Sequence, residues 1–540
     1  MPVRQFQLAL LLMAVLLGGL WFWLHRMDQP VDEPRPAQAA PESVADPVAA
    51  PDMARSYTEG ASAHSLPDLP EGSIPGEFTV QLPDPGALEV FLEAAEARGL
   101  RILGVIDELG MVRLAGPREV LEEILGPDVS FENNFRMEAP PAPDPDFWES
   151  DSLHPVMSRV LQFLGVPPGT DLSGWGQGIT VAVLDSGWLD HPGIPAAQVR
   201  QLDLLDSAMN GTFAGHGTAV AGLVASLSET APGLAPGSDI LSIRVLDAEG
   251  QGNSFTLARG IVAAVENGAD VINMSLGGYG DSQVLRAAVQ YATDRGVVLV
   301  ASAGNDGAGQ LTYPAGYPGV IAVGAVDALG NRAPFSNYGA ALDLVAPGFR
   351  VSALWGDGGY ILMDGTSAAA PLVSAAAARL LQEDPNLGPD GVMEVLLSQA
   401  NDKGLPGVDV QYGAGVLSMD RLENRETPGI YDVALADLYP ALEEADGATV
   451  PLYVTVQNRG TELLAQANVT VTVNGTDFYY RLSGLSPGAV DSILLPVVPQ
   501  NLAGGQQLTV QAVVRLPSGD EDSRPLNNAG RISLRLGGED

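Results

Sequence analysis

Ile179-Thr180-Val181-Ala182-Val183-Leu184-Asp185-Ser186-Gly187 is an apolar run of strand length that stops at a carboxylate and a glycine turn. A strand this uniformly apolar is buried on both faces, the habit of parallel sheets covered by helices. Similar runs at residues 239–245, 271–274, 297–302 and 320–325 alternate with segments of helical period. Residues 150–423 therefore read as an α/β domain, a parallel sheet with helices on both faces. Such sheets carry their sites at the C-terminal edges of the strands, which is where Asp185 falls. A turn aspartate at a strand end is just as ordinary, so Asp185 gains meaning only from its company.

Three further motifs supply that company. Gly215-His216-Gly217-Thr218-Ala219-Val220-Ala221-Gly222 predicts a helix of small residues that can lie close against the sheet. Of the other histidines, His25, His64 and His154 lie outside these motifs, and His191 sits in an Asp-His-Pro turn suited to a structural role. Asp364-Gly365-Thr366-Ser367-Ala368-Ala369-Ala370-Pro371 opens an alanine-rich helix. Ser367 then lies at a helix N-terminus, where free N–H groups and the dipole favour negative charge. The common use of such a serine is as a cap; the chemical use is as a nucleophile whose developing oxyanion meets those amides. Ala301-Ser302-Ala303-Gly304-Asn305-Asp306-Gly307 puts Asn305 on a glycine-flanked turn, from which its amide can donate to the same oxyanion. Alone, an Asn-Asp-Gly turn is only a turn.

Together, the chain order Asp185, His216, Ser367 is one of the orders in which the convergent serine triads occur. With Asn273-Met274-Ser275-Leu276-Gly277-Gly278, Tyr313-Pro314-Ala315, Phe335-Ser336-Asn337-Tyr338-Gly339 and Val345-Ala346-Pro347-Gly348, residues 155–420 resemble the subtilisin-like (subtilase) serine peptidases. The resemblance implies that Ser367 attacks the scissile carbonyl and His216 shuttles its proton. It implies that Asp185 fixes the imidazole and that Asn305 is the oxyanion donor. Ser275, Leu276, Gly277 and Gly278, with Ser302, Ala303 and Gly304, match the walls of the primary specificity pocket, where substrate backbone adds as a strand. Departures are Ala219, where relatives often carry a second histidine, and Ala368, where they often carry methionine; neither removes a proton-transfer group. The chemistry implied needs no cofactor and no catalytic metal. Asp203, Asp206 and Asn210 offer oxygen ligands for a structural Ca²⁺, or are solvated turn residues. Asp306 beside the pocket is expected to favour basic substrate residues at low salt.

Flanking regions differ in pattern. Residues 76–140 follow the order β-α-β-β-α-β, with strands at 77–82, 101–106, 111–115 and 129–135 and helices at 87–98 and 117–126: a ferredoxin-like α+β unit. By its position it resembles the subtilase propeptide, an inhibitor released by self-cleavage between residues 136 and 158. Residues 427–540 are all-β, with strands expected at 449–456, 467–473, 477–482, 489–497 and 508–514, an immunoglobulin-like sandwich resembling bacterial adhesion modules. Residues 6–24 carry no charge and one amide, a length suited to a membrane anchor, with a cleaved signal peptide as the competing reading. Residues 28–75, rich in proline, alanine and acids, read as a disordered tether, with folding from Gly76.

Composition narrows the function class. The 540 residues hold 27 Lys+Arg against 66 Asp+Glu, a net charge of −39, which repels phosphate backbones and argues against nucleic-acid partners. The chain's lone lysine is Lys403; an acidic, lysine-poor surface suits salty surroundings, and a high-GC composition bias gives the same pattern. Zero cysteines exclude disulfides and thiolate chemistry. The expectation is an exported endopeptidase acting on proteins or peptides, anchored in a bacterial cell envelope or secreted. The alternative is a surface adhesion protein whose peptidase domain serves its own processing.

Overall fold

The computed structural model describes residues 70–535 apart from 83–86, 127–129, 141–152, 206–210, 212, 357, 445–448, 498–506 and 518–520. All of these belong to one compact unit spanning residues 68–540. The anchor or signal expected at residues 6–24, most of the tether, and Asp206 and Asn210 lie outside the described residues. Among the described residues no helix is long and apolar enough to cross a membrane.

The N-terminal region runs β1 (Ser73–Gln81), α1 (Ala87–Ala97), β2 (Arg101–Ile106), β3 (Met111–Ala115), α2 (Arg118–Leu125) and β4 (Phe131–Glu138). Its strands order as β2-β3-β1-β4 with every neighbour antiparallel. Phe91 and Ala95 of α1 and Leu121 of α2 close a small core over Phe78, Val80, Val112 and Leu114. Two boundaries differ from expectation. β1 starts at Ser73 rather than Gly76, because Ser73 donates through N and Oγ to the Pro70 carbonyl and pairs with Phe135. β4 continues past residue 135 to Glu138, because its end pairs with a strand of the next region.

That region contains β5 (Thr180–Asp185), β6 (Val199–Asp203), α3 (His216–Ala225), β7 (Asp239–Arg244), β8 (Gln251–Asn253), α4 (Ser254–Glu266), β9 (Val271–Met274), α5 (Gln283–Thr293) and β10 (Val298–Ser302). It continues with β11 (Val320–Val326), β12 (Leu344–Pro347), the hairpin of β13 (Val351–Trp355) and β14 (Gly359–Met363), α6 (Thr366–Glu383), α7 (Gly388–Ser398) and α8 (Met419–Asn424). Seven parallel strands order as β12-β11-β10-β9-β5-β7-β6. One apolar layer holds α3 and α6 against the sheet, and a second holds α4 and α5. β10, β9 and β5 are neighbours at the centre, so the loops leaving their C-terminal ends emerge side by side. β6, with three exposed positions in five residues, and β12, with four residues in all, were too short or too polar to announce themselves.

The C-terminal region holds β15 (Val433–Pro440), β16 (Val450–Asn458), β17 (Leu464–Val473), β18 (Thr476–Leu485), β19 (Val490–Val497), β20 (Gln507–Arg515) and β21 (Ala529–Arg535). They form two antiparallel sheets, β15-β16-β19 and β18-β17-β20-β21. Val454, Val456, Val469, Val471, Val510 and Val514 lie in their shared core. β15 and β21 escaped the sequence reading: a bulge between Leu435 and Asp437 breaks the two-residue period of β15, and β21 alternates around Gly530 and Arg531.

The joint between this region and the α/β domain is polar. Lys403 Nζ meets Asp437 at 2.9 Å, Gln457 Oε1 accepts from Asp402 N at 3.0 Å, and Arg524 bridges Asp420 and Asp432. Asp402 is 2% exposed, and its carboxyl is pushed up to about 7. Burial is the largest cause; the Gly407 N–H and Arg459 oppose it, while Asp409 and Asp437 add to it. Raised above its ordinary 3.8, this acid stabilises the fold in its neutral form. That contribution is complete below the ordinary value and is lost as pH rises through about 7, at roughly 1.4 kcal/mol per pH unit. Asp402→Asn, which keeps an acceptor for Gly407, should therefore raise the Tm by a few degrees at about pH 8 and leave it unchanged at about pH 4, as read by calorimetry.

Candidate active site

β5 ends in the buried Asp185, whose Oδ1 accepts from Ser186 N at 2.7 Å. α3 starts at His216, and His216 Nδ1 lies 2.8 and 2.9 Å from the two oxygens of Asp185. With a carboxylate on that side, Nδ1 carries the proton and Nε2 is left with its lone pair, the tautomer a general base needs. The local sequence explains the contact. Gly217 N donates to Ser186 Oγ at 3.1 Å, and a methyl on Gly217 would fall 2.2 Å from the Gly187 carbonyl oxygen. Only a residue without Cβ lets the helix end come this close, and every residue of α3 is buried.

Ser367 is the second residue of α6 and is 2% exposed. Its Oγ donates to the Ser275 carbonyl at 3.2 Å, and Ser275 Oγ donates back to the Ser367 carbonyl at 3.1 Å. Asn273 Nδ2 donates to Ser275 Oγ at 3.0 Å and Asn273 Oδ1 accepts from Ser374 Oγ at 2.9 Å, so a hydroxyl–amide chain ties α6 to β9. Among the described residues, Ser367 Oγ hydrogen-bonds Ser275 and not His216; α3 and α6 nevertheless pack directly on each other. Asn305 Oδ1 accepts from Thr366 N and Oγ1, each at 2.9 Å, which fixes the amide plane beside the N-terminus of α6. Gly365 holds φ 120° there, and a Cβ on it would meet Asn305 Nδ2 at 2.6 Å. The structure thus brings together Asp185 with His216, and Ser367 with Ser275 and Asn305.

The expected pocket walls divide into backbone and filling. Leu276, Ser302 and Ala303 are completely buried. Gly277 and Gly278 present main chain, the latter exchanging N–H···O bonds of 3.0 and 2.8 Å with Tyr313. Gly304 N donates to Thr366 Oγ1. One rim residue, Tyr279, was not singled out from sequence. Tyr279 donates to Asp306 Oδ2 at 2.6 Å and accepts from Asn337 Nδ2 at 3.0 Å. Burial first, then Asp306, pushes the Tyr279 hydroxyl up to about 12. The Asp306 carboxylate is thus engaged across the rim by a phenol rather than standing free for a basic substrate residue. The only hint was the position of Tyr279 directly after Gly277-Gly278. His191 is structural, accepting from Gly193 N at 2.9 Å and meeting the Gly359 carbonyl at 2.9 Å. Asp203 pairs with Arg244 at 3.0 Å, and among the described residues no cluster of acids or histidines forms a metal site.

A segment of the N-terminal region runs between β8 and Gly277. β4 adds to β8 with Arg136, Met137 and Glu138 opposite Asn253, Gly252 and Gln251. On its other side Glu138 exchanges two N–H···O bonds of 2.9 Å with Gly277, and Ala139 N donates to the Gly250 carbonyl at 2.9 Å. Upstream, Glu132 Oε1 accepts from Gln283 N, Val284 N and Ser282 Oγ, capping α5 with a carboxylate from the N-terminal region. Asn134 Oδ1 accepts from Ser254 Oγ and Phe255 N where α4 begins. The Phe135 ring covers Gly280.

Known proteins share this arrangement in part. Residues 176–415 match the model of the Subtilase family. Over 248 residues the chain is 39% identical to Subtilisin Savinase of Lederbergia lenta, covering 45% of this chain and 90% of that one. It is equally identical to the Alkaline protease of Shouchella clausii, of which it covers 64%. Among solved structures, fervidolysin from Fervidobacterium pennivorans, described as a keratinolytic enzyme related to subtilisin, superposes with a TM-score of 0.57. That match spans 87% of this chain and 77% of the other at 23% identity, a likeness of fold. Gly217→Ala should cost about 1–3 kcal/mol of stability by forcing backbone apart. By loosening the Asp185–His216 contact it should also lower kcat more than it changes KM.

Proposed function

The chain belongs to the subtilase family and is a subtilisin-like serine endopeptidase, and from that premise we propose how it works and is held in check. Ser367 Oγ attacks the carbonyl carbon of the scissile bond while His216 Nε2 takes its proton. The C–N bond breaks, the leaving nitrogen receives that proton, and water then hydrolyses the ester by the same route in reverse. Asp185 orients the imidazole and stabilises its cationic form. Asn305 Nδ2 and the first amides of α6 stabilise the oxyanion. The observation that best supports these roles is the buried contact of both Asp185 oxygens with His216 Nδ1, on a helix that packs against the helix carrying Ser367. The groove between Gln251–Asn253 and Gly277 takes substrate as an added strand, with Ser275, Leu276, Gly278, Ser302, Ala303 and Gly304 shaping its primary pocket.

The N-terminal region acts as a ferredoxin-like propeptide. Its support is the β2-β3-β1-β4 order and the way its end fills that groove. Its removal, by cleavage between residues 136 and 158, is the activating event. The C-terminal pair of sheets is an immunoglobulin-like module fixed to the peptidase by the polar joint. Residues 6–24 direct export, as an anchor or as a signal.

Casein hydrolysis by the activated chain tests the roles. Ser367→Ala should abolish it, and Asp185→Asn should lower kcat about 10⁴-fold by reversing the imidazole tautomer. Asn305→Ala should lower kcat about 10²–10³-fold with KM little changed. An unchanged rate in Ser367→Ala would dismiss the scheme.

A further inference from the structure

The C-terminal region has one strand edge unlike its others. β15 is bulged between Leu435 and Asp437 and ends at Pro440, β19 carries Pro496, and the charges of β21 are the like ones of Arg531 and Arg535. Bulges, prolines and like charges are how sheet edges avoid pairing with other chains. β18, the outer strand of the four-stranded sheet, has ten residues, no proline, no lysine and no bulge against β17. Tyr479 in its middle is 76% exposed.

The direction in which each residue of β18 can hydrogen-bond follows from its neighbours. Asn474 N donates to the Thr509 carbonyl of β20. The alternate residues Thr472 and Thr470 of β17 therefore face β20, and Val473, Val471 and Val469 face β18. Their partners Thr476, Phe478 and Tyr480 turn N–H and C=O toward β17. Asp477, Tyr479 and Arg481 aim theirs outward, and among the described residues no backbone hydrogen bond meets them. By the two-residue period their side chains share the outer face of the sheet. Phe478 and Tyr480 point the other way, lining a cavity of about 470 Å³ between the two sheets. Thr472 Oγ1 donates to the Asp477 carboxylate at 2.7 Å, while Arg481 has no acidic partner among the described residues.

We infer that β18 is a dimerisation edge, pairing antiparallel with β18 of a second copy of this chain about a two-fold axis at Tyr479. A symmetric pair needs an edge complementary to itself, and this one is. With Tyr479 opposite its own copy, the residue two before meets the residue two after, so Asp477 of each chain faces Arg481 of the other. No other two-fold register pairs those charges. One centred on Asp477 opposes two carboxylates, one centred on Arg481 opposes two guanidiniums, and those between set both side chains against neutral residues. In the Tyr479 register the outward N–H and C=O groups of residues 477, 479 and 481 are all matched. On the other face Phe478 opposes Tyr480, an aromatic pair made twice. The two four-stranded sheets become one, and two peptidase domains are held in one particle.

The test is sedimentation velocity of the full-length chain carrying Ser367→Ala, which prevents self-digestion, over about a hundredfold range of concentration. A non-ionic detergent keeps the apolar residues 6–24 from associating. The mass should rise from one chain toward two. Asp477→Arg alone, or Arg481→Asp alone, sets like charges opposite each other twice and should raise the dissociation constant about tenfold or more. A chain carrying both substitutions restores opposite charges across the axis and should dimerise as the parent does. Far-UV circular dichroism should be the same for all four chains, since these side chains lie on an exposed face. A parent chain that stays single at every concentration would overturn the inference. So would a dimer that survives both single reversals unchanged, or a folded double variant that dimerises no better than the single ones.

Discussion

The close approach of the N-terminal end of α3 to the C-terminal end of β5 is the constraint on which the rest of the site depends. It requires a glycine at 217, small residues along α3, and a sheet strand buried on both faces so that Asp185 is dry. In that setting a carboxylate–imidazole contact is worth more than it would be in water, and it fixes which ring nitrogen bears the proton. The facing helix α6 is placed by a different device, the chain of hydrogen bonds from Ser374 through Asn273 and Ser275 to Ser367. The imidazole and the hydroxyl are thus positioned independently, and the packing of two helices joins them.

The same economy appears in how the N-terminal region docks. Helix N-termini leave unpaired N–H groups; the start of α5 is met by Glu132, and the start of α4, capped by its own Asn253, receives a further acceptor from Asn134. Burial raises the Glu132 carboxyl above its ordinary range, against the hydrogen bonds it accepts. Its neutral form therefore favours the docked state at low pH, and that contribution fades as pH rises through the raised value. Docking is set by these anchors and by strand addition, which positions main chain without regard to side chains.

Much of this was legible because catalysis needs rare residue combinations at strand and helix ends. The apolar runs around β5, β9, β10 and β11 revealed a parallel sheet, and the glycine-flanked Asp185, His216, Asn305 and Ser367 stood out against them. What escaped were features carried by geometry rather than by type. β15 was hidden by its bulge, β6 by its exposed positions, and the extension of β4 by pairing with a strand 113 residues away, between Glu138 and Gln251. The Tyr279–Asp306 contact likewise depends on two loops meeting.

The most direct examination of the central claim is a crystal structure of the activated chain with a peptide aldehyde. A covalent bond from Ser367 Oγ to the aldehyde carbon is expected, with the new oxygen within hydrogen-bonding distance of Asn305 Nδ2 and His216 Nε2 turned to the adduct. An aldehyde bound elsewhere, or an adduct whose oxygen points away from Asn305 while His216 leaves Asp185, would contradict it.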